Sequence, residues 1–214
     1  IRSKEAIFKL LKGLNPHKNL IWSEGILDVL DHATATTGYG SKLAINLTDI
    51  ATESVETIFT APRIAKPYGG VQYFNTEFTE EFGLLILYAE REWQERIDVE
   101  GYLSHNNITN IKYVALFDNG AVGSMRPSDL LWLAAANTDP KRDIRLSGNT
   151  LIIDARSKRP GYGDNPARFP NVVTSTPDVI RRVNERWSEY NIGELIESPS
   201  RRYRKLWLSD EAQW

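Results

Sequence analysis

Three short apolar runs, LLILYA at 84–89, IKYVALF at 111–117 and TLIIDA at 150–155, do most to limit what this chain can fold into. Each is too uniformly apolar to leave one face in water, so each is expected to be a strand buried on both sides. Between the first two lies EWQERIDVEGYLSHN, where Trp93, Ile97, Val99 and Leu103 mark the inward face of a predicted helix. Between the second and third, Pro127 and Ser128 open a predicted helix through DLLWLAAA. Strands separated by helices can lie parallel with helices packed over them. The expected class is therefore α/β, with a mostly parallel or mixed sheet flanked by helices.

The flanking segments are less regular. Ala6, Ile7, Leu10, Leu11 and Leu14 recur at helical spacing behind Ser3. LIW at 20–22 reads as a strand, ILDVLDHA at 26–33 as a helical turn, and KLAINL at 42–47 as a second strand after a loop at Gly38 and Gly40. Over 51–82 the prolines and glycines Pro62, Pro67, Gly69 and Gly70 break any period, so an irregular connection is expected there. Thr176, Pro177 and Asp178 form a capped helix start ahead of DVIRRVNERW, and Ser198-Pro199 repeats the device. The expected division is one α/β domain over 1–190 and a helical extension over 191–214. In that extension SRRYRKLWLSDEAQW is amphipathic, with Tyr203, Leu206 and Trp207 on one side, and can cover either a neighbour or its own domain.

With 214 residues the chain can bury roughly 70% of its extended-chain surface, so a sizeable core needs no disulfide. It contains no cysteine, which removes thiolate nucleophiles and cysteine-ligated zinc. A formal charge of −2 offers no overall cationic field to nucleic acid or to an anionic membrane. No apolar stretch approaches the roughly 18 residues of a membrane span, so a cytoplasmic protein is expected. The opening IRSKEAIFKLLKGL lacks an initiator Met and a signal-type apolar core, which suggests a piece of something longer.

Candidate chemistry is sparse. On a helical turn Asp28, Asp31 and His32 would share a face, where a carboxylate can orient the imidazole for proton transfer or simply cap the helix. Gly38-Tyr39-Gly40-Ser41-Lys42 offers amides and the Lys42 ammonium to an anion, but its spacing is not that of a phosphate loop and a tight turn is the plainer reading. Asp118 and Asp154 close two predicted strands, at the end where open α/β sheets gather ligands. Asp154, Arg156 and Lys158 would project to one side of an extended chain, to hold an anion or to pair with Arg142 and Asp143. His17, His32 and His105 are too dispersed for a metal set, so no metal is expected.

Several blocks, in order, resemble the C-terminal region of the UbiD family of decarboxylases, especially its larger members. They are LDVLDHA with GYGSKLAIN, LILYAE, YVALFDNGA, DLLWLAAANTDPKRDI, LIIDARSKRP and PDVIRRVNERW, spanning about 14–190. The resemblance implies reversible decarboxylation of an aromatic or unsaturated acid with prenylated FMN as electron sink, since side chains alone cannot accept the carbanion's electrons. The family's glutamate–arginine–glutamate set belongs to a preceding flavin-binding domain, and no stretch here matches it; no catalytic residue is assigned. FDNGAVGSM lacks the acidic run often found after that strand, and Asn46 stands where the pattern leads one to expect an aspartate. The resemblance thus implies a C-terminal domain or subunit that supplies cleft wall and oligomer interface, partners a flavin-binding polypeptide and binds no cofactor alone. The alternative is a non-catalytic oligomerisation or scaffolding module on the same fold.

Overall fold

The computed structural model describes residues 12–28, 31, 33–48, 50, 65–93, 95–121, 125–158 and 171–207. The predicted helix near 3–14 falls almost wholly outside them. One helical turn, α1 (Pro16–Asn19), capped by the Asn15 side chain on the His17 amide, leads into β1 (Leu20–Ile26). β1 pairs antiparallel with β2 (Tyr39–Ile45) along its whole length, from Leu20↔Ile45 to Ile26↔Tyr39.

This hairpin corrects two expectations. Ile26, expected to open a helical turn, ends strand β1 instead; the Asp31 N–H bonds the Asp28 carbonyl at 3.0 Å, while Val29, Leu30 and His32 of that expected turn lie outside the described residues. β2 starts at Tyr39, three residues before the predicted strand, so Gly40 and Ser41 join Lys42 in the strand and do not form a loop. Gly40 is glycine for reasons of space: a Cβ there would sit 2.4 Å from Thr34 Cγ2 and 2.7 Å from Leu27 Cδ1. The chain crosses itself too closely for a side chain.

The main sheet follows. β3 (Val71–Asn75) runs antiparallel to β4 (Leu84–Ala89), and the two are joined through α2 (Thr79–Phe82). Gly83 ends α2 in the left-handed region, φ 65°, where glycine carries no steric penalty. After β4 come α3 (Val99–His105) and β5 (Tyr113–Asp118), then a 3₁₀ turn at Asn119–Ala121, α4 (Pro127–Ala136), α5 (Pro140–Asp143), β6 (Ile144–Ser147) and β7 (Thr150–Asp154). The strand order is β3-β4-β5-β7-β6. β4, β5 and β7 are parallel neighbours, with an antiparallel strand at each edge. The sheet is mixed and helix-flanked, an α/β fold.

Alternation along the central strands explains the continuous apolar runs. Leu85, Leu87, Val114, Leu116 and Ile152 meet Ile97, Val99 and Tyr102 on one face. Ile86, Tyr88, Ala115 and Phe117 meet Leu130 and Leu133 of α4 on the other. Each fully buried Leu, Ile or Val contributes about 1.5–3 kcal/mol, so this double-sided strip dominates the stability.

The helix predicted over 92–106 is shorter. Asp98 caps it by accepting the Gly101 amide at 2.9 Å, so it starts at Val99, while Trp93 and Ile97 pack from the preceding irregular segment. C-terminal to the sheet, α6 (Pro177–Glu185) has Thr176 as its cap and Pro177 in its first turn, and is followed by α7 (Trp187–Tyr190). The last described helix, α8 (Ser200–Tyr203), starts at Ser200 with Pro199 in the cap position and passes into a 3₁₀ turn at Arg204–Leu206. Leu206 and Tyr203 pack into the α4-side core, so this part of the extension covers its own domain.

Candidate functional site at the carboxyl ends of the parallel strands

β5 and β7 finish on carboxylates, Asp118 and Asp154, both buried. The chain then turns so that three further residues pass over the sheet's end. Arg156 donates from Nε and Nη2 to the Asp154 carboxylate at 2.9 and 2.7 Å, a forked pair, and from Nη1 and Nη2 to the carbonyls of Trp93 and Glu95 at 3.1 and 3.2 Å. The Ser157 amide donates to Asp118 Oδ2 at 2.9 Å. Lys158 turns back beneath them and donates to the carbonyls of Arg156 at 2.8 Å, Asn137 at 3.2 Å and Asp154.

Lys158 also lies 3.6 Å from Asp143 and 3.8 Å from Asp154. Asp143 takes Arg142 Nε and Nη2 at 2.8 and 2.6 Å, and Arg142 Nη2 reaches the Ala33 carbonyl at 2.7 Å. The Lys158 and Asp143 side chains are 1% and 0% exposed, so this is an ionic lattice inside the protein. Desolvation pushes the Lys158 ammonium below its ordinary pKa, opposed by Asp154 and Asp143. Desolvation likewise pushes the Asp118 carboxyl up, against hydrogen bonds from Ser157 and the fields of Arg91 and Arg156. Such a lattice fixes one arrangement of the chain, because breaking any pair strands a charge in a low dielectric. The Arg156 fork is occupied by Asp154, so the row acts as internal pairing.

Beside the lattice the rim is looser. Asn119 Nδ2 donates to Gln72 Oε1 at 3.2 Å, and Gln72 Nε2 to Glu90 Oε1 at 2.5 Å, linking the ends of β3, β4 and β5. Gln72 and Glu90 also line an open groove of about 470 Å³ with Tyr68, Gly70 and Tyr73. Next to Glu90, Arg91 donates from Nη1 to the Trp207 carbonyl at 2.6 Å and from Nη2 to the Lys205 carbonyl at 3.1 Å. Asp129 anchors the same terminal segment, accepting Tyr203 Oη at 2.7 Å and Arg202 Nη1 at 3.4 Å. Desolvation raises the Asp129 pKa, but hydrogen bonds from Arg126 and Tyr203 outweigh it and hold the carboxyl well below the usual range.

Of the residues singled out in the sequence, Asp118, Arg142, Asp143, Asp154, Arg156 and Lys158 converge on this end. Asp28 and Lys42 are exposed on the hairpin side, and His32 lies outside the described residues. The remaining histidines stand apart: His17 bonds the Gly148 carbonyl at 2.9 Å, and His105 packs 5.1 Å from Tyr68, centroid to centroid. Arg91 was not visible in the sequence, since its partners lie more than 110 residues away and no motif marks it; Asp129 has a local partner in Arg126 at the helix start, but its hold on Tyr203, 74 residues on, has no sequence signal.

The 470 Å³ groove is lined by one carboxylate, Glu90, and by no Lys or Arg that could pair with a flavin phosphate. A second groove at Val179, Arg182, Val183 and Arg186 is about 260 Å³, below the roughly 300 Å³ at which small-molecule sites begin. Among the described residues no three His, Asp or Glu gather to hold a metal ion. No described helix is long and apolar enough to cross a membrane.

No family model matches the chain. Two uncharacterized proteins from Helicobacter pylori strains are 23% and 22% identical over 198 and 197 residues, covering 87% of this chain. An uncharacterized Synechocystis protein is 25% identical over 104 residues, covering 41% of this chain and 20% of its own length. The chain spans 31% of the Helicobacter relatives. Among solved structures, the open form of vanillic acid decarboxylase from Sedimentibacter hydroxybenzoicus matches 57% of this chain and 29% of its own. It is 19% identical, with a TM-score of 0.38. An evolved dimeric form of the UbiD-class enzyme HmfF from Pelotomaculum thermopropionicum, in complex with prFMN, matches 54% of this chain and 26% of its own. It is 13% identical, with a TM-score of 0.35. Scores at this level do not by themselves assign a family.

Proposed function

We propose that this chain is the C-terminal α/β domain or subunit of a UbiD-like carboxy-lyase that acts on an aromatic or unsaturated carboxylic acid. It contributes cleft wall and oligomer interface, and catalysis resides in a flavin-binding domain outside these residues. One observation carries the reading. The blocks YVALFDNGA, DLLWLAAANTDPKRDI and LIIDARSKRP, which bear the family resemblance, meet through Asp118, Asp143, Asp154 and Lys158 at a single end of the sheet. Three separate stretches that resemble one family therefore act as one structural unit.

Prenylated FMN belongs to the complete enzyme in this reading, and the chain's own part is to hold a wall rigid beside it. The test is an assay of carbon dioxide release with prenylated FMN and cinnamate. The lone chain is expected to retain no flavin and turn over no substrate, and to support turnover only when joined to a flavin-binding polypeptide. Turnover by the lone chain would overturn the placement of catalysis elsewhere.

A second reading, a non-catalytic assembly module, is favoured by apolar exposure on the hairpin and the C-terminal helices, where Ile26 is 86% and Ile196 69% exposed. Stable self-association without any flavin-bearing partner would select it.

A further inference from the structure

The Arg91 guanidinium forms no salt bridge among the described residues. Both Nη groups instead face backbone carbonyls of the terminal turn, Trp207 at 2.6 Å and Lys205 at 3.1 Å. Two neighbouring oxygens before a guanidinium fork are the arrangement that a carboxylate presents, with the difference that a carboxylate brings a full charge to the Nη groups themselves; within the protein the Arg91 charge is felt by the buried Asp118 carboxylate, which forms no salt bridge with it. Beneath the fork lies Gly120, in the 3₁₀ turn after β5. Its φ is not positive, so the backbone does not demand glycine. A Cβ there would lie 2.6 Å from Arg91 Nη2, the movable end of a side chain, and 3.1 Å from the Lys205 carbonyl, so a larger residue would push the guanidinium aside.

The seam around this contact is incompletely satisfied. Arg91 Nε, Arg204 Nη1 and Thr174 Oγ1 are buried without a hydrogen-bond partner. Unmet polar atoms lower the cost of detaching the turn, since water satisfies them once it lifts. The turn is kept in place by Leu206 in the α4-side core and by the Trp207 indole N–H on the Val172 carbonyl at 2.9 Å. The site stands at the carboxyl ends of β4 and β5, where open parallel sheets bind ligands.

We propose that Arg91, floored by Gly120, is a carboxylate-binding site which the chain's own terminal turn, 204–207, occupies with its backbone carbonyls. A carboxylate ligand and the turn then compete for the same two Nη donors. That the ligand is a small aromatic or unsaturated acid rests on the function proposed above. The competition itself does not, and it needs neither flavin nor turnover.

The experiment is hydrogen exchange at the Lys205 and Trp207 amides of the full chain, titrated with benzoate and, separately, with inorganic phosphate. Benzoate is expected to accelerate exchange saturably, by about tenfold or more, and phosphate to do far less. Leu206→Ala, which loosens the turn and leaves the guanidinium in place, should tighten benzoate binding several-fold. Arg91→Lys, which keeps the charge and loses the fork, should weaken it by about tenfold. Three results would overturn the proposal: no benzoate effect on the wild-type turn, an equal effect of phosphate, or benzoate binding undiminished in Arg91→Lys. Failure here leaves the carbon dioxide assay free to succeed, and success here does not require it.

Discussion

The two polar seams at the carboxyl end of the sheet are built from the same residue types and behave as opposites. Around Lys158 each cation faces carboxylates and carbonyls with almost no solvent, and the lattice ties β7 to α5 and to the irregular segment before α3. Around Arg91 both Nη groups meet neutral carbonyls, and the carboxylate that feels its charge, Asp118, forms no salt bridge with it. The first arrangement fixes geometry, because any disruption exposes a full desolvation cost. The second holds a segment in place only through hydrogen bonds to uncharged carbonyls. A rigid lattice and a carbonyl-held contact thus sit side by side at one end of the sheet.

The largest expected effect comes from breaking the rigid side. Asp154→Ala removes the partner of the Arg156 fork and one neighbour of Lys158, and should cost about 3–5 kcal/mol in urea unfolding, the range for stranding a buried charge. A cost under about 1 kcal/mol would mean that the lattice relaxes as easily as a surface pair.

A smaller, pH-dependent effect sharpens the same contrast. The pKa of Asp118 is raised in the folded protein, so the stability it contributes is present below about pH 3.8, its unfolded value, and is lost as pH rises through the folded pKa. The pKa of Asp129 is lowered, so its contribution is present above about pH 3.8 and is lost as pH falls through the folded value. Relative to wild type, Asp118→Asn should therefore gain stability as pH rises above about 4, and Asp129→Asn should lose stability as pH rises toward about 4 from below. Unfolding free energies of both variants at a series of pH values give the two slopes; slopes of the same sign would contradict the assignment.

Much of the framework was legible in the chain. LLILYA, YVALF and TLIIDA announced the buried parallel strands, and Thr176-Pro177 announced α6, because burial on both faces and capping leave local signatures. The errors arose where a distant partner decides the local form. Residues 92–98 carry helical spacing, yet among the described ones, 92–93 and 95–98, the chain forms no helix and lends the Trp93 and Glu95 carbonyls to Arg156, more than 60 residues on. Gly40 looked like a turn glycine and serves a close crossing inside a strand. At the sheet's end the places of Asp118 and Asp154 followed from the strand ends alone, whereas Arg91 bonds carbonyls over 110 residues away, which no spacing rule reveals.

Native-state hydrogen exchange tests the contrast most directly. The Ala155 and Ser157 amides, bonded to the Leu116 carbonyl and to Asp118, should exchange only with global unfolding, while the Trp207 amide, bonded to Arg204, should exchange through local opening at far lower free energy. Equal opening free energies for the two sets would contradict the account.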